Sequence, residues 1–196
     1  MNLPNQITIS RLIIAIAIFV LLSTVKLIPI SFSAIMDISL VLFILAAITD
    51  FLDGYIARKY DLQTVFGRIA DPFADKITIS GIFICLIPLS PIVKPWMVVI
   101  IVGREFLISG LRGFLESYGA SFGSSMPGKL KMTFQCFTVV ALLFYLVHLK
   151  DINIAYWIVS SMVWMTIAIT LLSAYNYMVK AYKILNKEND DNSKIK

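Results

Sequence analysis

Apolar residues run along this chain in six long stretches, at positions 12–30, 34–56, 70–93, 96–115, 133–148 and 154–177. Each is near the length that a tilted helix needs to cross about 30 Å of hydrocarbon. The breaks around Pro29-Ile30-Ser31, Ser90-Pro91 and Lys150-Asp151 read as tight turns. Ahead of the first stretch, Leu3-Pro4-Asn5-Gln6-Ile7-Thr8-Ile9-Ser10-Arg11 mixes apolar and polar residues. It predicts a short amphipathic helix begun by Pro4 and lying in the membrane interface, although an ordinary polar lead-in would look the same. Past Tyr177 the sequence turns polar and charged, and 181–196 reads as a frayed, solvated cytosolic tail. The pattern therefore predicts an all-α integral membrane protein of six transmembrane helices with a short N-terminal interfacial helix. A single membrane domain over 1–180 carries the tail. No internal repeat is visible, which weakens an inverted-repeat transporter reading.

Composition agrees with that pattern. Of 196 residues, 59% are hydrophobic and 15% charged, and mean hydropathy is +0.85. Ordinary soluble domains have about 45–50% apolar and about 25% charged residues. The excess is spread along the whole chain, which favours one multi-span domain over a soluble domain with an anchor. Cys85 and Cys136 both lie in apolar runs and read as small core residues. No Ala-x-Ala cleavage site follows the first stretch, so it is expected to stay as a span.

Charge sets the expected orientation. Of the 17 Lys and Arg, only Lys26, Lys94 and Lys150 fall at the far ends of the spans, opposite the N-terminal side. The positive-inside rule then places both termini in the cytosol, in a multi-pass protein of the cytoplasmic membrane. No nucleic-acid partner is expected.

Four carboxylates stand out against this background. They lie in Asp50-x-x-Asp53-Gly54-x-x-Ala57-Arg58, eight further residues, then Gly67-x-x-x-Asp71-x-x-x-Asp75. Spacings of three and four put each pair on one helix face. The topology places Asp50 and Asp53 in the last cytosolic turns of the second span, and Asp71 and Asp75 in the first turns of the third. Antiparallel neighbours joined by a short loop let the two faces meet. Four close carboxylates cannot all stay ionised unaided, so some are protonated or the set binds hard cations. With no His or Cys nearby, the set suits Mg²⁺, Mn²⁺ or Ca²⁺ rather than zinc. Gly54, Ala57 and Gly67 remove bulk from the same faces, and Arg58 is placed to hold a phosphate. The only histidine, His148, sits at the far end of the fifth span and faces the opposite interface. Activation of a hydroxyl nucleophile is therefore left to a carboxylate, a lysine or a metal.

This ordered set matches, at every specified position, the signature of the CDP-alcohol phosphotransferases. The resemblance implies six transmembrane helices and transfer of a phosphatidyl or similar group from a CDP-linked donor to an alcohol, with release of CMP. It implies two divalent cations, Mg²⁺ or Mn²⁺, shared by Asp50, Asp53, Asp71 and Asp75, with Asp75 also the base for the acceptor hydroxyl. It places Gly54, Ala57, Arg58 and Gly67 along the CDP site. Pro4-Asn5-x-x-Thr8-x-x-Arg11 is similar to the family's N-terminal segment, which would bring Asn5 and Thr8 near the nucleotide. A homodimer is implied as well.

The acceptor is addressed by the second half. Gly103-Arg104-Glu105 interrupts the fourth stretch, and Arg112 follows eight residues after Arg104, near the same helix face. An arginine inside a membrane is by default a functional hypothesis, with Glu105 or a substrate anion as partner. Gly128-Lys129-Leu130-Lys131 adds two cations where the fifth span begins, although the positive-inside rule alone would also put lysines there. Together Arg104, Arg112, Lys129 and Lys131 form a cytosolic-side basic pocket suited to a phosphorylated acceptor. Residues 104–112 and 128–135 resemble those of the bacterial phosphatidylglycerophosphate synthases, a subfamily that joins CDP-diacylglycerol to sn-glycerol 3-phosphate. Met132 departs from the threonine expected there. Inositol phosphate, serine or phosphatidylglycerol are the alternative acceptors. From another class, the carboxylates could line a proton or cation path, but such a path needs polar residues through the outer halves of the spans, where almost none occur.

Overall fold

In the computed structural model the backbone is described for residues 3–27, 29–59, 65–117 and 126–193, and the side chains for 9–27, 29–50, 73–74, 76–115, 128 and 130–186. Among the described residues six helices follow one another: α1 Leu3–Ser23, α2 Phe32–Lys59, α3 Val65–Leu86, α4 Pro95–Ser117, α5 Met126–Phe144 and α6 Asn153–Ser193. A π-helical turn over Tyr145–Leu149 extends α5. There is no strand among the described residues.

Local chemistry sets several of these boundaries. Ser31 caps α2, its Oγ accepting from the Ala34 N–H at 3.2 Å. Pro95 opens α4, where its missing N–H costs nothing. After α3 the Ser90 N–H returns to the Leu86 carbonyl at 2.9 Å, and Ser90 Oγ takes the Ile92 N–H at 3.3 Å. These bonds make the turn expected at Ser90-Pro91.

Two boundaries differ from the expectation. The N-terminal segment is not a separate interfacial helix: the backbone stays helical from Leu3 through Ser23. No glycine or proline interrupts the chain between Pro4 and Ser23, and Arg11, 6% exposed, is drawn inward by Asp50 rather than left at a surface. Helix α6 also continues to Ser193, well past the end of the apolar stretch at Tyr177. Its extension is held by Ala181, Ile184 and Leu185, which with Tyr177 pack against Ile108, Leu111 and Leu115 of α4. Positions 177, 181, 184 and 185 repeat on one helix face, so a narrow apolar stripe persists after overall hydropathy falls.

The helices pack as α1 against α2 and α3, α5 against α2 and α6, and α4 against α3 and α6. Ile18, Leu22, Met36, Phe83, Leu86, Ile101, Leu142 and Leu143 are almost wholly buried in the resulting core. Large apolar residues also point outward, among them Phe106 at 75%, Ile154 at 72% and Trp157 at 67% exposed. So much apolar surface on the outside suits a hydrocarbon solvent. Among the described residues three helical stretches, Phe32–Asp50, Leu130–Leu149 and Asn153–Asn186, are long and apolar enough to cross a membrane. Ile9–Ser23 and Lys76–Leu86 are shorter apolar stretches.

A polar seam runs between α5 and α6. Thr138 and Thr166 hydroxyls meet at 2.7 Å, Thr138 donates to the Phe134 carbonyl at 2.8 Å, and Thr170 donates to the Thr166 carbonyl at 2.7 Å. Back-bonding of this kind satisfies hydroxyls inside an apolar bundle and lets the helices approach.

Candidate active site

The carboxylate end of the site begins at Asp50, on α2. Its Oδ1 lies 2.6 Å from Nη1 of Arg11 on α1, and the side chain is about one-third exposed. A guanidinium at that distance fixes the direction of the carboxylate and joins the first two helices. Asp53, Gly54, Ala57 and Arg58 follow on α2, and Gly67, Asp71 and Asp75 lie on α3. Their side chains, with those of Asn5, Thr8 and Lys129, lie outside the described residues. So does the expected meeting of the two aspartate faces. Among the described residues no group of three metal-ligating side chains occurs. The donor set itself fits the implied cations: an all-oxygen carboxylate set is what hard divalent ions take, and Asp50 is open enough to be reached.

The basic end is built by α4, α5 and α6. Arg104 of α4 donates from Nη2 to Ser173 Oγ of α6 at 2.7 Å, and its guanidinium carbon stands 5.7 Å from the centre of the Tyr177 ring. Arg112, two turns later on α4, reaches the Tyr177 hydroxyl from Nη2 at 3.4 Å. Tyr177 is thus the common neighbour of both arginines, and the spacing of eight does bring them to one place. Glu105, 8% exposed, pairs with Lys131 of α5, which is 5% exposed. Arg104 Nη1 lies 3.5 Å from the other carboxylate oxygen. The expected Arg104–Glu105 partnership is present, but the tighter partner of Glu105 is Lys131.

A link connects the two ends. Lys76, next in sequence to Asp75, donates from α3 to Ser109 of α4, and Ser109 in turn donates to the Glu105 carbonyl at 2.6 Å. The helix carrying Asp71 and Asp75 is therefore tied to the helix carrying Arg104 and Arg112. Donor capacity remains in this pocket: Arg104 Nε and Arg112 Nε are buried without a hydrogen-bond partner among the described residues. Buried donors in that state point to an anion or polar ligand.

Ser173 and Tyr177 were missed by reading motifs, and a signal for them exists. Thr166, Thr170, Ser173 and Tyr177 are spaced by four, three and four, which makes one polar face on an otherwise apolar helix. All four are buried. At the far end of the bundle His148 Nε2 sits 3.0 Å from Asp37 Oδ1, both half-exposed.

Comparison with known proteins gives this geometry its context. The CDP-alcohol phosphatidyltransferase family matches residues 1–172. The CDP-diacylglycerol–glycerol-3-phosphate 3-phosphatidyltransferase of Bacillus subtilis is 33% identical over 198 residues, covering 96% of this chain and 99% of that protein. The protein of that name from Rickettsia typhi is 38% identical over 178 residues, covering 90% of this chain and 94% of its own. The one from Mycoplasma pneumoniae is 31% identical, covering 94% and 89%. A match over most of the chain, joined to the carboxylate signature on α2 and α3, means that the chain belongs to the CDP-alcohol phosphatidyltransferase family.

Proposed function

We propose that this chain transfers the phosphatidyl group of CDP-diacylglycerol to sn-glycerol 3-phosphate, giving phosphatidylglycerol phosphate and CMP in phospholipid synthesis. The observation that carries the choice of acceptor is the buried basic pocket. Arg104, Arg112 and Lys131 converge there, with both arginine Nε donors lacking a hydrogen-bond partner among the described residues, while the relatives that match over most of the chain share one named activity. Serine carries no phosphate, and such a pocket holds a phosphorylated acceptor better than one without that charge.

In this reading all six helices span the cytoplasmic membrane, both termini and the site face the cytosol, and two copies form a homodimer. Residues 1–180 make the membrane domain, and 181–196 add a charged cytosolic segment. CDP-diacylglycerol enters from the bilayer with its nucleotide at the cytosolic rim, beside Asn5, Thr8, Gly54, Ala57, Arg58 and Gly67. Asp50, Asp53, Asp71 and Asp75 would hold two divalent cations, Mg²⁺ or Mn²⁺, which when bound neutralise charge on the pyrophosphate. Arg11 keeps Asp50 aimed. Arg104, Arg112, Lys129 and Lys131 bind the acceptor phosphate. Asp75 takes the proton from the 1-hydroxyl of glycerol 3-phosphate. That oxygen bonds to the β-phosphorus as the bond to the bridging oxygen breaks, and CMP carries the leaving electron pair.

Purified protein in detergent is expected to release CMP from CDP-diacylglycerol and glycerol 3-phosphate only when Mg²⁺ or Mn²⁺ is present. Full CMP release in excess chelator would contradict the metal assignment. Ion flux through protein-loaded liposomes without substrate would instead favour a transport path.

A further inference from the structure

A carboxylate in the middle of a phosphate pocket needs an explanation. It repels the ligand, and burying it costs free energy unless cations pair with it. Glu105 meets that condition through two cations from different places, Lys131 on α5 and Arg104 beside it on α4. Arg104 is held again by Ser173 on α6, and the Glu105 carbonyl takes the Ser109 hydroxyl that receives Lys76 from α3. Four helices therefore converge on this one residue.

The charges do not cancel. Among the described residues Lys131 and Arg104 share this one carboxylate, Lys76 and Arg112 are held nearby through Ser109 and Tyr177, and the Nε donors of both arginines lack a hydrogen-bond partner. Without Glu105, two buried like charges, Lys131 and Arg104, would face each other with nothing between them. A flexible lysine relieves that repulsion by turning toward water.

We propose that Glu105 is the positioning residue of the acceptor-phosphate pocket, holding the Lys131 ammonium and the Arg104 guanidinium in the spacing a phosphate bridges. This rests on the acceptor reading above and adds a residue outside the expected binding set. Glu105 acts through Lys131 and Arg104 and does not touch the acceptor.

The test is steady-state kinetics of the full-length chain in lipid nanodiscs. Glu105→Gln is expected to raise KM for glycerol 3-phosphate about tenfold or more and to leave KM for CDP-diacylglycerol within about twofold. Glu105→Asp, which keeps the charge on a shorter stem, should recover most of the loss. Because Glu105 works in part through Lys131, the double variant Glu105→Gln/Lys131→Met should lose clearly less glycerol 3-phosphate affinity than the sum of the two single losses. That double variant also removes both members of the buried pair, so it remains informative if Glu105→Gln alone folds poorly. An unchanged glycerol 3-phosphate KM in Glu105→Gln, an equal rise for both substrates, or fully additive losses in the double variant would each overturn the proposal. Lys131→Met and Arg112→Ala, measured alongside, separate the two readings. If both leave that KM unchanged, the acceptor pocket itself is misassigned. If both raise it while Glu105→Gln does not, only the role of Glu105 fails.

Discussion

Asp75→Asn is expected to lower kcat by about a thousandfold or more, while CDP-diacylglycerol binds within a few-fold of the parent protein. In the proposed function two roles meet in this carboxylate, cation ligand and base for the acceptor hydroxyl. Loss of a positioned base alone removes roughly 10²–10⁴-fold, or about 3–5 kcal/mol of transition-state stabilisation. Asparagine keeps the shape and one acceptor oxygen, so the neighbouring helix contacts should survive. Ala74, wholly buried beside it, and Lys76, tied to Ser109, hold this part of α3 in place on either side. The only histidine lies beside Asp37, at the other end of α5 from Lys131, and cannot take over the proton. CMP release in single-turnover and steady-state assays, with CDP-diacylglycerol binding measured separately, checks this. Near-normal turnover would remove Asp75 from the role of base.

Arg112→Ala is expected to raise KM for glycerol 3-phosphate by about 10–100-fold, the range for losing a charge-assisted hydrogen bond, with a far smaller change for CDP-diacylglycerol. Arg112 stands partly buried, with Nη2 toward Tyr177 and Nε without a partner among the described residues. A phosphate oxygen would satisfy that nitrogen. Arg112→Lys keeps the charge but loses the planar fork, so it should recover only part of the affinity. Equal losses for both substrates would move Arg112 out of the acceptor site and leave it a structural partner of Tyr177.

Much of this architecture was legible from sequence because membrane solvent makes it so. Apolar stretches long enough for helices mark themselves, and the helices of the described residues occur where the stretches do. The carboxylate signature was readable because charged residues are rare against an apolar background, and each spacing fixes a helix face. What could not be read were pairings between helices. The Lys131–Glu105 pair joins residues 26 apart in number, and Arg104–Ser173 joins residues 69 apart. Periodicity within one helix says which face is polar but not which neighbour it meets. The α6 extension was hidden for a related reason, since its buried stripe of Ala181, Ile184 and Leu185 is diluted by exposed Tyr182 and Lys183. Arg11 illustrates the reverse case. It was visible in the motif and in the charge asymmetry, yet its hold on Asp50 emerged only once α1 was seen against α2.

In the proposed function a transferase of CDP-linked lipid uses this basic pocket to select a phosphorylated small alcohol. CMP release measured with glycerol 3-phosphate, inositol phosphate, serine and phosphatidylglycerol as competing acceptors tests it most directly. Glycerol 3-phosphate is expected to give a kcat/KM at least about a hundredfold above serine and phosphatidylglycerol, and well above inositol phosphate. Comparable CMP release with serine, or none with glycerol 3-phosphate, would contradict it.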